Sequence, residues 1–509
     1  MPPIVSAITR RNVLCSMAAV PLAHLLSGCS SGSSSTGSST PVQTVPGTPT
    51  TASFGAAQSI PSSLFGLNES GNFTQYDGNS GFASIFASLR PAILRYPGGE
   101  IGNWFDLSTG LVLTNANPAP PSDLSGYNNN PGYTTTQLAA FLADTGATPT
   151  IVLNLLTGNM STQITALQSA KAAGIPINYL ELGNEFYLDT LAGATPYTQV
   201  FPTPASYVSV ANQYAAALKA TFPSVKLGVP VWGDSGGASR EAGWNAGVIP
   251  NLKNIDALII HTYQDPTFGA TSSSYPGTTA AQATETAGFT ATGGVQTVLA
   301  MATNISSQQA VVSAYPGFQV WITESNLRDF VGSIAGTWCH GLYAALRLLK
   351  FLELTNLNLA LLHSVTGSLL YAQINTASGT VAGLTNSPTL APNTLTATGY
   401  ATQLLFAAAA GCTAAQPISF SVNPPQTTSA GGTVPSLYGW SFGNGATAVV
   451  LNLSPTEYAL SIPATGFSGS ATQISGNPLS FVGSTTPLTI ASSPVASPLS
   501  LPAYSITVL

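Results

Sequence analysis

The chain of 509 residues carries 12 Lys and Arg against 18 Asp and Glu, a formal net charge of −6, and only 6% of its residues are charged while 44% are hydrophobic. That balance excludes a nucleic-acid or anionic-membrane binder, both of which need clustered Lys and Arg, and four cysteines are too few for a disulfide scaffold. The length accommodates one large domain and one small one, each with apolar residues enough for a core.

Residues 1–29 read as an export signal. Thr9-Arg10-Arg11-Asn12-Val13-Leu14 resembles a twin-arginine motif, and the apolar run behind it, about a dozen residues, is too short to span a bilayer. Leu26-Ser27-Gly28-Cys29 closes it in the manner of a bacterial lipobox, in which Cys29 is lipidated and becomes the mature amino terminus. A plain secretory signal with an accidental cysteine is the alternative. Residues 30–51, rich in Ser, Gly, Thr and Pro, suit a flexible tether. Loss of residues 1–28 removes Arg10 and Arg11 and leaves ten basic residues against eighteen acidic. The expected location is the bacterial cell envelope, periplasm or cell surface, with the membrane reached only through the lipid anchor.

From residue 52 to 411 strand-like and helix-like segments alternate, which predicts a parallel sheet with crossover helices. Eight strands are expected, at 63–67, 93–96, 148–154, 179–183, 226–230, 257–261, 319–323 and 358–362, a number that closes a (β/α)8 barrel. Helices are expected over 136–143, 164–173, 207–220 and 337–354, the last with Trp338, Leu342, Ala345, Leu349 and Leu352 on one face. A final helix starts at Ala397 and runs into Gly411. From Cys412 to 509 short alternating runs such as 437–442, 447–453 and 458–462 are separated by Gly, Pro, Asn and Ser, which predicts an antiparallel β-sandwich. Residues 52–59 are expected to add a strand to it.

Two stretches carry chemistry. Tyr179-Leu-Glu-Leu-Gly-Asn-Glu185 ends a buried strand with two carboxylates and an amide, and Phe318-Gln-Val-Trp-Ile-Thr-Glu324 ends another with a single carboxylate. Barrel enzymes place their chemistry at the carboxyl ends of strands, so Glu185 and Glu324 occupy matching positions. Converging carboxyls about 5–5.5 Å apart suit retaining glycoside hydrolysis. Cys339 and Cys412 could pair or stay free. The histidines after the signal, His261, His340 and His363, show no metal-ligand spacing, and no cofactor is expected.

With these elements in place the chain resembles a clan A retaining glycoside hydrolase, most closely family 79, the heparanase and β-glucuronidase group. The resemblance rests on Asn184-Glu185 and Glu324 in barrel order, Leu94-Arg95-Tyr96-Pro97-Gly98-Gly99, His261-Thr262-Tyr263, and Gly399-Tyr400-Ala401 with Leu404-Leu405-Phe406. The Arg-x-Pro-Gly-Gly run is also similar to family 51 arabinofuranosidases. The resemblance implies Glu324 as nucleophile and Glu185 as acid/base, with Asn184 on the sugar 2-hydroxyl and Tyr263 and His261 beside the carboxylates. Arg95 could orient Glu324 or pair with a structural acid. Trp104 and Trp232 could stack on sugar faces or pack in the core. Asn154 is a further candidate, and Arg328 is the basic residue placed to receive a substrate carboxylate. One departure stands out: where family 79 enzymes often carry a Gly-rich loop after the nucleophile, this chain has Asn326-Leu-Arg-Asp-Phe-Val-Gly-Ser-Ile-Ala-Gly336. The expected activity is exo-acting β-glucuronide hydrolysis on an oligosaccharide, polysaccharide or glycoside. β-Xylosidase or α-L-arabinofuranosidase activity, and a non-catalytic polysaccharide-binding lipoprotein, are the alternatives.

Overall fold

A computed structural model of the chain describes residues 47–509 apart from 70–79, 122–123, 125–132, 189–193, 235–238, 368, 464–466, 468 and 484–487. The export signal, Cys29 and most of the tether lie outside the described residues. Eight parallel strands close into a barrel in chain order: β1 (Phe65–Asn68), β2 (Ile93–Tyr96), β3 (Thr148–Val152), β4 (Tyr179–Glu181), β5 (Lys226–Val231), β6 (Ala257–Gln264), β7 (Gln319–Leu327) and β8 (Leu357–His363). Alternate side chains point inward, and Ile93, Ala257, Ile259, Trp321, Leu359 and Leu361 form a packed layer inside the barrel. The Trp321 ring meets Tyr179 edge-on at 5.5 Å.

Ten of the remaining strands build a mostly antiparallel sheet that folds over on itself around Leu437, Val450, Leu460 and Leu501, and the rest form short two- and three-stranded sheets. The fold class is a (β/α)8 barrel with a carboxyl-terminal β-sandwich. The first described strand, Thr48–Phe54, pairs antiparallel with Ala414–Phe420 through Ala52–Phe54 and parallel with Tyr458–Ser461 through Thr48–Thr51. Residues 48–51, assigned to the tether, belong to this strand: they pair with Tyr458–Ser461, and Thr50 is buried in the sandwich.

The helix Trp338–Phe351 was expected to bury one face, yet nearly all its side chains are buried. The sandwich region covers its start: the amides of Trp338 and Cys339 donate to the carbonyls of Ser480 and Pro478, and the Trp338 indole N–H donates to the Tyr504 carbonyl. Cys339 and Cys412 are both free thiols.

Strands β6 and β7 run past the ends of their apolar stretches, to Gln264 and Leu327 rather than His261 and Thr323. The polar extensions stay in register, Thr262 opposite Ser325 and Tyr263 opposite Asn326. Between Ile260 and His261 the register shifts by one, so that β7 carries an extra residue.

Candidate active site

That bulge decides where Glu324 points. In a regular strand Trp321 and Thr323 face the barrel interior and Glu324 faces away. With the extra residue opposite His261, both Thr323 and Glu324 turn to the barrel mouth. Thr323 Oγ1 lies 3.1 Å from His261 Nε2, while Glu324 Oε1 accepts from Arg95 Nη1 at 2.5 Å and Oε2 from the Tyr263 hydroxyl at 2.5 Å.

Arg95 is the hub. Fully buried at the mouth of β2, its guanidinium donates to Glu181 (2.8 Å), Glu324, Asn68 (3.2 Å) and Asn184 (2.9 Å). A buried cation requires carboxylate partners, and Glu181 and Glu324 supply them. Burial would push the Glu324 carboxyl up, but the charges of His261 and Arg95 and the Tyr263 hydroxyl outweigh it and hold it at about 2. Burial and the Glu324 charge push Tyr263 well above the usual phenol value, which keeps it a hydrogen-bond donor.

Glu185 is reached by a sharp turn at the end of β4. Gly183 has φ +90°, and a Cβ there would come 2.1 Å from the Phe186 ring; Glu185 itself sits at φ +50°, a conformation uncommon for a residue with a side chain and typical of functional turns. Between them the Asn103 amide clamps the Asn184 backbone, accepting from its N–H at 3.0 Å and donating to its carbonyl at 2.9 Å. Asn184 is nearly fully buried, and its Nδ2 has no partner among the described residues. Glu185 Oε1 lies 2.9 Å from His261 Nδ1 and accepts from the Tyr187 hydroxyl at 3.1 Å, which leaves Oε2 for a ligand. Burial pulls the His261 imidazole down, but Glu324 and Glu185 more than offset this and raise it.

Glu185, His261 and Glu324 bring one donor atom each within 4.8 Å of one another. A cation could be held by three such groups, but both Glu324 oxygens are already taken by Arg95 and Tyr263, so the set fits a hydrogen-bonded carboxylate pair better. Two carboxylates brought this close together can flank one anomeric carbon.

Glu185, Glu324, Asn184, His261, Tyr263 and Arg95 thus converge, and three candidates do not join them. Trp104 is fully buried with its indole N–H on the Pro118 carbonyl, because the chain after β2 folds back over it. Asn154 spends its amide on its own loop, with the Thr157 and Gly158 amides and the Thr157 hydroxyl. Arg328 is half-buried and forms a two-pronged ion pair with Asp265, both contacts at 2.7 Å. Trp232 stands edge-on to Tyr187 at 5.4 Å, beside the Glu185 corner. Sequence reasoning missed Asn68, Asn103, Tyr187 and Tyr371, and gave His363 no role. For Asn68 a signal existed, since it ends β1 as Asn184 follows β4.

No protein-family model matches the chain, and no curated protein matches it in sequence. Solved structures do match in fold. A family 51 arabinofuranosidase from Xanthomonas axonopodis pv. citri superposes with a TM-score of 0.63 at 15% identity, covering 90% of this chain and 99% of that one. A family 51 α-L-arabinofuranosidase from Bifidobacterium longum gives 0.63 at 16% identity, over 90% and 98%. A 4-O-α-L-rhamnosyl-β-D-glucuronidase from Fusarium oxysporum gives 0.55 at 13% identity, over 91% and 98%.

Proposed function

We propose that the protein is a retaining glycoside hydrolase that removes a neutral sugar, of the α-L-arabinofuranosidase kind, by double displacement. The observation that carries the reading is the carboxylate pair, one member held ionised by Arg95 and Tyr263, the other with one oxygen free. Glu324 attacks the anomeric carbon as the glycosidic bond breaks, and Glu185 gives its proton to the departing oxygen. Water then attacks the same carbon, Glu185 takes its proton, and the Glu324 ester is released. The unpartnered Nδ2 of Asn184 is a donor for the sugar 2-hydroxyl, a contact that strengthens as the ring flattens.

The neutral glycone is argued from the loop after β7. Its amides at Gly332, Ile334 and Ala335 donate to the Asp329 carboxylate at 2.7, 2.8 and 2.8 Å, so a carboxylate of the chain itself occupies the N–H groups a uronate would use. Arg328 is engaged by Asp265 and Arg95 by Glu181 and Glu324. The likeness to the Fusarium glucuronidase supports the second reading, a β-glucuronidase of family 79 type. Export and anchorage through a lipidated Cys29 complete the proposal, and palmitate labelling that Cys29→Ser leaves unchanged would refute the anchor.

Aryl α-L-arabinofuranoside, β-xyloside and β-glucuronide, offered to protein from about residue 47 and to its Glu185→Gln and Glu324→Gln variants, test the reading. Cleavage of a pentoside that Glu324→Gln abolishes and Glu185→Gln slows is the expected result. Preferred cleavage of the glucuronide selects the second reading. Oligosaccharide binding without any turnover means a binding protein.

A further inference from the structure

His363, the last residue of β8, stands between Asn68 of β1 and Tyr263 of β6. Its Nδ1 lies 2.6 Å from Asn68 Nδ2, and its ring meets Tyr263 edge-on at 6.1 Å and Tyr371 at 5.0 Å. Tyr263 and Tyr371 are themselves 5.8 Å apart, so the three rings form one wall beside Glu324.

The hydrogen bonds fix which ring nitrogen carries the proton. Arginine has only donors, so the atom of Asn68 that receives Arg95 Nη1 must be the amide oxygen. The amide NH2 of Asn68 then faces His363, and Nδ1 of His363 must accept. A neutral imidazole that accepts at Nδ1 carries its proton on Nε2. Burial lowers the His363 imidazole below its ordinary value, which agrees with a neutral ring. The geometry also explains Gly98, because a Cβ there would lie 1.7 Å from Asn68 Oδ1. Nε2 of His363 has no hydrogen-bond partner among the described residues and the residue is only partly buried, so a directed N–H is left at the barrel mouth. The Tyr371 hydroxyl, on the same wall, is likewise without a partner among the described residues, while its backbone carbonyl accepts from Asn326, two residues after Glu324.

We propose that His363 is a specificity-determining residue, whose Nε2–H donates to a hydroxyl of the glycone bound against Glu324, with Tyr371 closing the same wall. Asn68 is a positioning residue: it ties the tautomer of His363 to Arg95, and through Arg95 to Glu324. The subsite therefore reads a hydroxyl with a neutral donor. The inference rests on the hydrolase reading for the identity of what is bound, and the tautomer stands apart from it.

Two measurements decide it. The first compares aryl α-L-arabinofuranoside with its monodeoxy analogues in wild type and His363→Phe. One analogue should lose about tenfold in kcat/KM with wild type, and His363→Phe should lose about tenfold on the parent but little more on that analogue. His363→Gln, which keeps an N–H donor, should recover part of the loss and serves if the Phe variant does not fold. Equal deoxy penalties in wild type and variants would overturn the proposal. If no glycoside is turned over, the hydrolase reading falls, and calorimetric binding of the same series is read by the same criterion. The second is the nitrogen spectrum of labelled imidazoles in wild type at pH 7. Protonation of His363 at Nε2 is expected, and protonation at Nδ1 would refute the hydrogen-bond chain.

Discussion

The two corners of the barrel mouth hold their carboxylates in opposite ways. Glu324 lies on a continuous strand, its side chain 7% exposed, with a donor on each oxygen; Glu185 lies in a left-handed turn, 18% exposed, with both donors on one oxygen. A cation and a phenol stabilise the charged form at the first corner. At the second, an imidazole and a phenol orient the group through one oxygen and leave the other open to a ligand. The difference teaches that strand order equips the two positions alike and neighbours from other strands assign their roles.

The contrast is tested hardest by replacing each carboxylate. Glu324→Gln removes the proposed nucleophile and should lower kcat about 10⁵-fold or more, whatever the leaving group. Glu185→Gln should cost about 10²–10⁴-fold on glycosides with poor leaving groups and much less on nitrophenyl substrates, which depart without a proton. Equal losses on both substrate types would erase the distinction between the corners.

Next in size is Tyr263→Phe, which takes one donor from Glu324 and should reduce kcat/KM by about 10–100-fold. Glu324 is held low, so its ionised form persists as pH falls until about 2, and removing the donor should move the acid limb of the kcat/KM profile to higher pH.

Glu285 sharpens the comparison from outside the mouth. Burial and the neighbouring Asp329 raise its carboxyl to about 8, and Asp329 is the residue that shapes the loop after β7. A raised carboxyl contributes stability that is full below its unfolded value near 4.3 and is lost as pH rises through about 8. Glu285→Gln should therefore lose less Tm between pH 5 and pH 9 than wild type, by a few degrees in calorimetry, roughly as a change of order 1 kcal/mol would give. The smallest effect belongs to Arg328→Ala. Its ion pair is largely exposed, and stability should change by less than about 1 kcal/mol. The ratio of glucuronide to pentoside turnover should not move, and a fall in that ratio would return Arg328 to the binding site.

Sequence by itself determined the order of the barrel strands and the presence of an antiparallel β region after them, and it singled out the two glutamates that the barrel brings together. Apolar runs separated by helical stretches mark buried parallel strands, and in a chain with 6% charged residues a glutamate at a strand end is conspicuous. Hydropathy failed where the strands turn polar. Thr262 to Gln264 and Glu324 to Asn326 remain in the ladder, yet they read as loop because their side chains serve the site rather than the core. Only the tertiary structure decided the rest. The bulge that turns Glu324 inward is a register between two strands, Arg95 binds groups on or just after three others, and the tautomer of His363 is fixed through Asn68, 295 residues away in the chain. Such contacts depend on strand closure and have no local periodicity. For the same reason Trp104 and Asn154 resembled site residues by type and position until the packing of their own loops claimed them.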